Sequence, residues 1–266
     1  MRLDNNPHTG SMSYSDTLPK IPAVAISTVD AHNLSEILKK DTKTKALMKL
    51  SCQTHPDTIS YNVIGEIKGS EYPEKIIVVG GHLDSWDIGE GAHDDGAGVV
   101  QSIEVLKIFK ELDIKPKHTI RCILFMNEEN GNRGGESYAE YTRQEGEQHV
   151  MAIETDRGGF SPRGFSVDGT EGQLAIVKSF DKLFEPYNLH IFRKGYSGVD
   201  IGPLRDGKIC LIGLIPDSQR YFDFHHAASD VFENVNKREL ELGAAALTSI
   251  IYLIDKYGFR DIKLNQ

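Results

Sequence analysis

The sequence has little of what marks several large classes of protein. Its three cysteines, Cys52, Cys122 and Cys210, are too few for a disulfide framework and lack the Cys-x-x-Cys spacing of a thiolate metal site. No apolar run reaches the length of about 18 residues that a membrane-spanning helix needs. Residues 1–16 are polar and lack the apolar core of a signal peptide. These absences argue against a small disulfide-stapled domain and against a membrane protein.

Basic side chains are also in the minority. Lysine and arginine total 30 against 39 aspartates and glutamates, which gives a formal net charge of −9. A chain without an excess of positive charge offers no basic face to phosphates, so we do not expect a nucleic-acid partner. Part of the acidic excess is expected if several carboxylates bind cations. The length of 266 residues suits one large α/β domain, or one domain and a fragment of another.

Residues 1–55 differ from the rest of the chain. Residues 1–18 are rich in Asn, Ser, Pro and Gly, which predicts a poorly ordered lead-in. The pattern then predicts three short elements: a strand at Ile21–Ile26, a helix at Val29–Lys40 and a strand at Ala46–Cys52. These pieces are too few to bury a core of their own. We therefore interpret residues 1–55 as a lead-in with the remnant of another unit, and residues 56–266 as the main domain.

From residue 59 onward, strand and helix patterns alternate. Tyr61–Ile67 alternates apolar and polar residues, as an antiparallel edge strand does. Near-continuous apolar runs predict strands covered on both faces at Ile76–Val79, Ile120–Met126, Val150–Glu154 and Ile209–Ile215. Helices are predicted at Val99–Leu112, Gly135–Gln144, Gln173–Tyr187 and Lys237–Tyr257. The class is α/β, with helices on both faces of a mixed, mostly parallel sheet.

A glycine-rich stretch between the first buried strand and the helix at 99–112 concentrates possible ligands. Two His and four Asp fall between positions 82 and 95: His82, Asp84, Asp87, His93, Asp94 and Asp95. Ligands in open α/β sheets bind at the carboxyl ends of strands, and this stretch begins at such an end. We interpret it as one half of a two-metal site.

Further possible ligands follow the other strands. Glu128 and Glu129 follow the strand at 120–126, Asp156 follows 150–154, and His225-His226 lies in a loop after 209–215. Each has an ordinary alternative: a hydrogen-bonded histidine, a helix-capping aspartate or a solvated glutamate pair. Their joint placement at strand ends favours a metal site. Imidazole and carboxylate ligands without thiolate suit catalytic Zn²⁺, with Co²⁺ or Mn²⁺ as possible substitutes.

Several of these segments resemble the signatures of a known family. The segments are His82-Leu83-Asp84, Gly91 to Gly98, Phe125 to Gly131, Glu154-Thr155-Asp156 and Tyr221 to Asp230. In this order they resemble the co-catalytic di-zinc exopeptidases, of the bacterial leucine aminopeptidase and plasma glutamate carboxypeptidase type. The resemblance covers about residues 59–257, and the second type carries a protease-associated domain inserted in the peptidase domain. Residues 18–55 resemble the end of such an insert, so the chain resembles a carboxyl-terminal portion of a longer protein.

The resemblance implies a role for each matching residue. Asp94 bridges two zinc ions, His82 and Asp156 complete one of them, and Glu129 and His226 complete the other. A slip of one residue would make His225 the ligand in place of His226. Glu128 is the general base, and Asp84 accepts the second imidazole N–H of His82. The resemblance also implies a cis peptide bond between Asp94 and Asp95.

Other residues have two interpretations each. Arg157 either meets a substrate carboxylate or pairs with Glu154 or Asp168. The loop Gly195–Asp200, with Asp200 at its end, either lines a specificity pocket or is a structural turn. Tyr221 is a candidate for hydrogen bonding to the reaction intermediate. Trp86 either walls the cleft or packs in the core, and His93 is expected to be a hydrogen-bonding neighbour of Asp94.

Together these features predict a metallo-exopeptidase that cleaves terminal peptide bonds or dipeptides, with aminopeptidase or dipeptidase activity favoured over carboxypeptidase activity. Two rivals stay open: a glutaminyl cyclase-like acyltransferase with a single zinc, and an inactive binding module of the same fold. Relatives of this type are generally exported, so we expect export although the chain carries no export signal. The sequence does not set the oligomeric state.

Overall fold

The computed structural model describes residues 4–259, which contain a seven-stranded mixed sheet. The strands are β1 (Val63–Ile67), β2 (Tyr72–His82), β3 (His118–Phe125), β4 (Gln148–Glu154), β5 (Pro162–Asp168), β6 (Ile191–Lys194) and β7 (Cys210–Pro216). Their order across the sheet is β1-β3-β2-β4-β7-β5-β6. Neighbouring strands are parallel except at β1–β3 and β5–β7. The predicted mixed, mostly parallel sheet is confirmed, and β1 is the predicted antiparallel edge strand.

The sheet is covered on both faces because its central strands are apolar on both. In β2, Ile77 and Val79 belong to one core cluster, whereas Ile76 and Val78 belong to the other. Successive side chains of a strand point to opposite faces, so one apolar run contributes to both clusters. All four side chains are buried. This continuous run is the reason that the central strands could be predicted well.

Residues 4–259 contain six α-helices. They are α1 (Thr28–Lys40), α2 (Ala97–Glu111), α3 (Arg133–Glu145), α4 (Glu171–Ser179), α5 (Asp181–Phe184) and α6 (Lys237–Tyr257). Side chains of α2, α4, α5 and α6 pack in one core cluster, and Tyr138 and Ala139 of α3 pack in the other. The predicted helix–sheet–helix layering is therefore confirmed. Within residues 4–259, no helix is both long and apolar enough to cross a membrane.

The second half of the sheet departs from the predictions. β5 and β6 were not predicted, because Pro162–Asp168 contains Pro and Gly and Ile191–Lys194 is very short. The predicted helix at Gln173–Tyr187 is instead α4, α5 and a short 3₁₀ turn. Thr170 and Gln173 form a capping box at the start of α4, and Pro186 in the 3₁₀ turn lacks the N–H that a continuing helix would use.

The described residues before position 56 contain α1 but neither of the two predicted strands. Both strand predictions were wrong: residues 21–26 and 46–52 are not in strands. Their apolar side chains lie largely exposed, Ile21 at 68% and Leu47 at 85%, so no neighbouring strand covers them. Ser27 caps α1, accepting the N–H of Asp30, but no residue of α1 is buried. The division of the chain at residue 55 stays a prediction.

Candidate functional site

The predicted ligands gather at one edge of the sheet, near its centre. β3, β2, β4 and β7 are neighbours and parallel, so their carboxyl ends share that edge. β2 ends at His82, and its residue Gly80 pairs with Glu154 of β4. Asp156 therefore lies level with His82. The register of two strands thus brings together two residues that are far apart in sequence.

The turn after β2 holds Asp94 in place. The peptide bond between Asp94 and Asp95 is cis, as the resemblance implies. The Asp230 carboxylate accepts the backbone N–H of His93 at 2.7 Å and that of Asp94 at 3.1 Å. Asp95 accepts the backbone N–H of His82 at 3.1 Å, which ties the turn to the end of β2. These bonds leave the Asp94 carboxylate free to face the other ligands.

Asp94 lies at the centre of the cluster. Its Oδ1 is 3.2 Å from His82 Nε2, which is also 3.5 Å from Asp156 Oδ1. Its Oδ2 is 3.3 Å from His226 Nε2, which is also 3.0 Å from Glu129 Oε2. The two oxygens of Asp94 thus face two separate groups of ligands. All five predicted metal ligands converge.

The atoms that face one another fit bound cations. Within residues 4–259, four buried side-chain atoms of the cluster have no hydrogen-bond partner: His82 Nε2, Asp94 Oδ2, Glu129 Oε1 and Asp156 Oδ1. Unpaired buried polar atoms are costly and rare, so a set of them aimed at one place needs an explanation. Tetrahedral zinc, at about 2.0 Å from each ligand, separates the ligand atoms by about 3.3 Å. The observed distances match that spacing.

The cluster concentrates charge in a dry environment. Burial raises the pKa of Asp95 and of Asp156, and neighbouring carboxylates add to both effects. Burial lowers the pKa of His82, but the close carboxylates of Asp156 and Asp94 outweigh it, so the pKa of His82 is raised. Buried carboxylates are normally paired or bound to metal. The charge of this cluster is therefore suited to cations.

The two adjacent histidines differ in what they reach. His226 Nε2 contacts both Asp94 and Glu129. His225 Nε2 lies 3.6 Å from Asp94 Oδ2, and its ring stacks on that of His226 at 3.6 Å between centroids. Each could join a cation site with Asp94. His226 suits the ligand role better, because it alone of the two is paired with Glu129 among the described contacts.

Asp84 acts differently from what the resemblance implies. The main-chain carbonyl of Asp84, not its carboxylate, contacts His82 Nδ1, at 2.8 Å. Its carboxylate lies 3.9 Å from that nitrogen and instead accepts the backbone N–H groups of Glu128 at 3.0 Å and Glu129 at 3.3 Å. The side-chain role was wrong because the chain turns after His82 and aims the carboxylate toward the end of β3. Asp84 thereby links two strand ends.

Glu128 lies beside the cluster and is half-buried. Burial raises its pKa to about 7; His82 opposes the rise, and Asp156, Glu129 and Asp94 add to it. A carboxyl group with a pKa near neutrality can both accept and release a proton. The bonds from Asp84 fix the backbone of the Glu128–Glu129 pair.

His93 and Trp86 each have a defined partner. His93 Nδ1 accepts the N–H of Gly159 at 3.1 Å, and its Nε2 bonds the carbonyl of Asn234 at 3.2 Å. Both nitrogens of His93 are occupied, as expected for a neighbour of Asp94. Trp86 contacts a predicted ligand: its indole N–H donates to Glu129 Oε2 at 2.6 Å. No pattern in the sequence predicted that bond.

The roles predicted for Arg157 and Tyr221 stay predictions. Neither alternative partner of Arg157 takes it: Asp168 pairs with Arg205, and Glu154 accepts backbone N–H groups. Within residues 4–259, Arg157 has no ion pair. Tyr221 is 7% exposed, with its ring 5.0 Å from that of His225. Burial raises the pKa of Tyr221, so its hydroxyl stays protonated.

Glu154 holds the loop that carries Asp200, a role not predicted from the sequence. Its carboxylate accepts the N–H groups of Val199 at 2.8 Å and Ile201 at 2.9 Å. At Gly198, a Cβ would lie 2.2 Å from Glu154 Cδ, so the loop needs glycine there. Asp200 is fully buried, and in the described part of the chain neither carboxylate oxygen has a partner. Burial raises its pKa to about 8, and the negative charges of Glu128, Asp156 and Asp84 contribute to the rise.

The profile of peptidase family M28 matches residues 62–250, which include every ligand of the cluster. This chain belongs to peptidase family M28. Carboxypeptidase Q from Homo sapiens is 34% identical over 249 residues, covering 94% of this chain. The alignment covers 53% of the human protein, so the chain spans about half the length of the curated relatives that it matches.

Solved structures show the same fold. The M28 peptidase precursor from Shewanella amazonensis SB2B is 33% identical, with a TM-score of 0.87, and the match covers 96% of this chain and 58% of that one. A zinc aminopeptidase from Bacillus subtilis is 22% identical, with a TM-score of 0.61, and the match covers 76% of this chain and 52% of that one. The second likeness concerns the fold alone. The M28 fold is thus shown for this chain.

Proposed function

We propose that the chain carries the active site of a two-zinc exopeptidase that acts as an aminopeptidase or dipeptidase. The observation that carries the proposal is the set of four buried, unpartnered ligand atoms centred on Asp94. A cluster with that composition and spacing suits zinc. The motifs of the M28 family and the relation to carboxypeptidase Q support the same class of reaction.

Two groups of side chains would hold the ions. His82, Asp156 and Asp94 Oδ1 face one position, whereas Glu129, His226 and Asp94 Oδ2 face the other. The main-chain carbonyl of Asp84 fixes the tautomer of His82, so that Nε2 is left for the ion. When bound, zinc ions supply a lowered pKa for water and a Lewis acid for the scissile carbonyl.

Glu128 is the proton carrier in this proposal. It takes a proton from the attacking water, whose oxygen bonds to the carbonyl carbon of the substrate. As the carbon–nitrogen bond breaks, Glu128 returns that proton to the leaving amine. The second proton of the water passes from the new carboxyl group to the amine, so the products are a carboxylate and an ammonium group, and Glu128 is restored. A pKa raised by burial suits both transfers.

Substrate polarity follows from the charges around the cluster. Carboxyl groups surround the reaction centre at Glu128, Asp156 and Asp200, and their oxygens favour a substrate with a free amino group. Arg157, which has no ion pair within residues 4–259, would meet a free carboxylate at the other end. A dipeptide offers both groups at short separation. The relative from Homo sapiens bears the name carboxypeptidase Q.

The proposal is tested with dipeptides whose ends are free, blocked at the amine or blocked at the carboxyl, with zinc content measured in parallel. We expect zinc-dependent hydrolysis of free dipeptides, loss of activity with a chelator and recovery when zinc is returned. Loss on amine blocking alone indicates an aminopeptidase, and loss on either block indicates a dipeptidase. Binding near one zinc per chain without hydrolysis favours the cyclase-like rival. Absence of both zinc binding and hydrolysis favours the inactive binding module.

A further inference from the structure

The segment His8–Ser11, far from the motifs in sequence, lies against the loop that carries His226. His8 forms an antiparallel β-bridge with Ala227, and the N–H of Thr9 donates to the carbonyl of His226 at 2.8 Å. His8 Nδ1 lies 2.6 Å from the carbonyl of His225. This last contact joins two positions separated by 217 in sequence, so the segment returns to the site from the far end of the chain.

One of these contacts is made by the imidazole that faces the cluster. His226 Nδ1 is 3.0 Å from the carbonyl oxygen of Thr9, whereas its Nε2 faces Asp94 and Glu129. A carbonyl oxygen can only accept, so Nδ1 carries the proton in this bond. With the proton on Nδ1, the lone pair of a neutral ring is on Nε2. The ring is thus held in the tautomer that a metal ligand requires.

The backbone at His226 also needs support. His226 has a φ of +57°, a left-handed conformation that residues other than glycine seldom adopt. The bond from Thr9 N–H to the His226 carbonyl is made at that residue. The segment therefore holds both the main chain and the ring of His226.

The same segment also reaches the neighbouring ligand. The Ser11 hydroxyl donates to the main-chain carbonyl of Glu129 at 3.3 Å. Glu129 and His226 are the two residues that, with Asp94 Oδ2, face the second cation position. The segment His8–Ser11 therefore contacts both Glu129 and His226, the two residues that face this cation position together with Asp94. No described contact joins it to His82 or Asp156, which face the other.

We propose that His8–Ser11 is a positioning segment for the second cation position, with the Thr9 carbonyl as the acceptor that orients His226. This inference rests on the proposed function, because it assigns the segment to a metal site. The action is indirect: the segment holds the side chains that would bind the ion. We therefore expect changes in the segment to alter zinc affinity unequally at the two cation positions, because only Glu129 and His226 depend on the segment.

Thr9 contacts His226 through its main-chain N–H and carbonyl, so two substitutions of Thr9 can be compared as a matched pair. Thr9→Pro removes the N–H that donates to His226, and with it the register that brings the Thr9 carbonyl to the ring. Thr9→Ala keeps both main-chain groups. The Thr9 side chain makes no hydrogen bond within the described residues, so Thr9→Ala is the control.

Zinc affinity is measured in the whole chain by competition with a chelator, without reference to activity. Removal of an outer-shell partner of a metal ligand typically lowers affinity by about 10- to 100-fold. We expect Thr9→Pro to weaken the binding of one of two zinc ions by this amount and to leave the affinity for the other ion within about twofold. Thr9→Ala should resemble the wild type. Equal affinities of Thr9→Pro and wild type for both ions would overturn the proposal.

A measurement on the wild-type protein avoids dependence on the folding of a variant. In protein labelled with ¹⁵N-histidine and free of metal, the Nδ1 proton of His226 should be hydrogen-bonded and protected from exchange. Thr9→Ala should retain that protected signal. A His226 ring without a protected Nδ1 proton would contradict the assignment, whatever the zinc measurements give. If the wild type binds no zinc but shows the signal, the contact stands and the proposed function fails.

Discussion

Trp86 donates its indole N–H to Glu129 Oε2 over 2.6 Å, and its ring centre lies 5.7 Å from that of His226. Glu129 Oε1 is buried and has no hydrogen-bond partner within residues 4–259. The indole therefore holds one carboxylate oxygen and leaves the other available. Trp86 is the only tryptophan of the chain, so its fluorescence reports on this one place.

Trp86→Phe should weaken zinc binding while the fold persists. The phenyl ring keeps most of the packing but offers no N–H, so Glu129 loses a charge-assisted hydrogen bond. We expect about a tenfold loss of affinity for one of two zinc ions, by the same outer-shell effect. Chelator competition measures it, with Tyr187→Phe, on a ring 70% exposed, as the control. Unchanged affinity would show that Glu129 needs no support from the indole.

In the wild type, addition of zinc to metal-free protein should change the Trp86 fluorescence, because in the proposed site the ion would bind the carboxylate that the indole contacts. The change in fluorescence should be complete when the cation position faced by Glu129 and His226 is filled. A zinc titration that fills two sites without altering emission would place the second ion away from Glu129.

Glu128→Gln should bind zinc normally and lose turnover. The amide keeps the shape of the side chain but cannot take up a proton at neutral pH, so we expect a fall of about 100- to 10,000-fold in kcat. Glu129→Gln is the matched neighbour and should instead lower zinc content. Rates of dipeptide hydrolysis and metal analysis on the same samples separate the two effects. Near-normal turnover by Glu128→Gln would place the base elsewhere.

Gly198→Ala should destabilise the loop that carries Asp200. Its Cβ would lie 2.2 Å from Glu154 Cδ, a buried group that accepts two backbone N–H bonds from this loop. Steric conflict in a packed interior costs about 1–3 kcal/mol of unfolding free energy. Gly202→Ala, a little further along the chain, meets no atom within 4 Å and should cost far less. Chemical denaturation of both variants checks the difference, and equal stabilities would refute the close contact.

Acid should destabilise the protein partly through His149. Burial lowers the pKa of His149 to about 4. Arg121 donates to the Tyr138 hydroxyl at 3.0 Å, so this hydroxyl donates in turn to His149 Nε2 at 2.8 Å and requires that nitrogen unprotonated. The unfolded chain, with a histidine pKa of about 6.5, binds the proton more readily. Stability is therefore full above pH 6.5 and falls as the pH drops from about 6.5 to about 4.

The contribution of His149 is on the order of 3 kcal/mol, isolated by comparing unfolding free energies of wild type and His149→Gln across this pH range. His149→Gln should show a shallower loss toward low pH. His190→Gln, at an exposed position, should follow the wild type. Parallel pH profiles for wild type and His149→Gln would show that His149 titrates normally in the folded protein.

The central sheet and the convergence of the ligands could be predicted from the sequence because both rest on local signals. Buried parallel strands are continuous apolar runs, and β2, β3, β4 and β7 have such runs. Residues directly after those strands must lie at one sheet edge. β5 and β6 lack the signal, since a short strand with Pro, Gly or charged residues looks like a loop until its partners are known.

The contacts that orient the ligands could not be predicted. Asp84 supplies a main-chain carbonyl to His82 and its carboxylate to two N–H groups, a choice set by the direction of the chain after β2. The Trp86 bond and the approach of His8–Ser11 join segments with no periodic pattern between them. Hydrogen bonds of this kind depend on the folded path of the chain and not on residue type alone.

The site is assembled from segments that begin at His8 and end at His226, with contributions from the ends of three strands between them. During synthesis, the ligand atoms therefore remain apart until His226 and the strands before it have emerged and the sheet has closed. A nascent chain halted before that point has no assembled cleft. Maturation of the site is thus tied to completion of the fold.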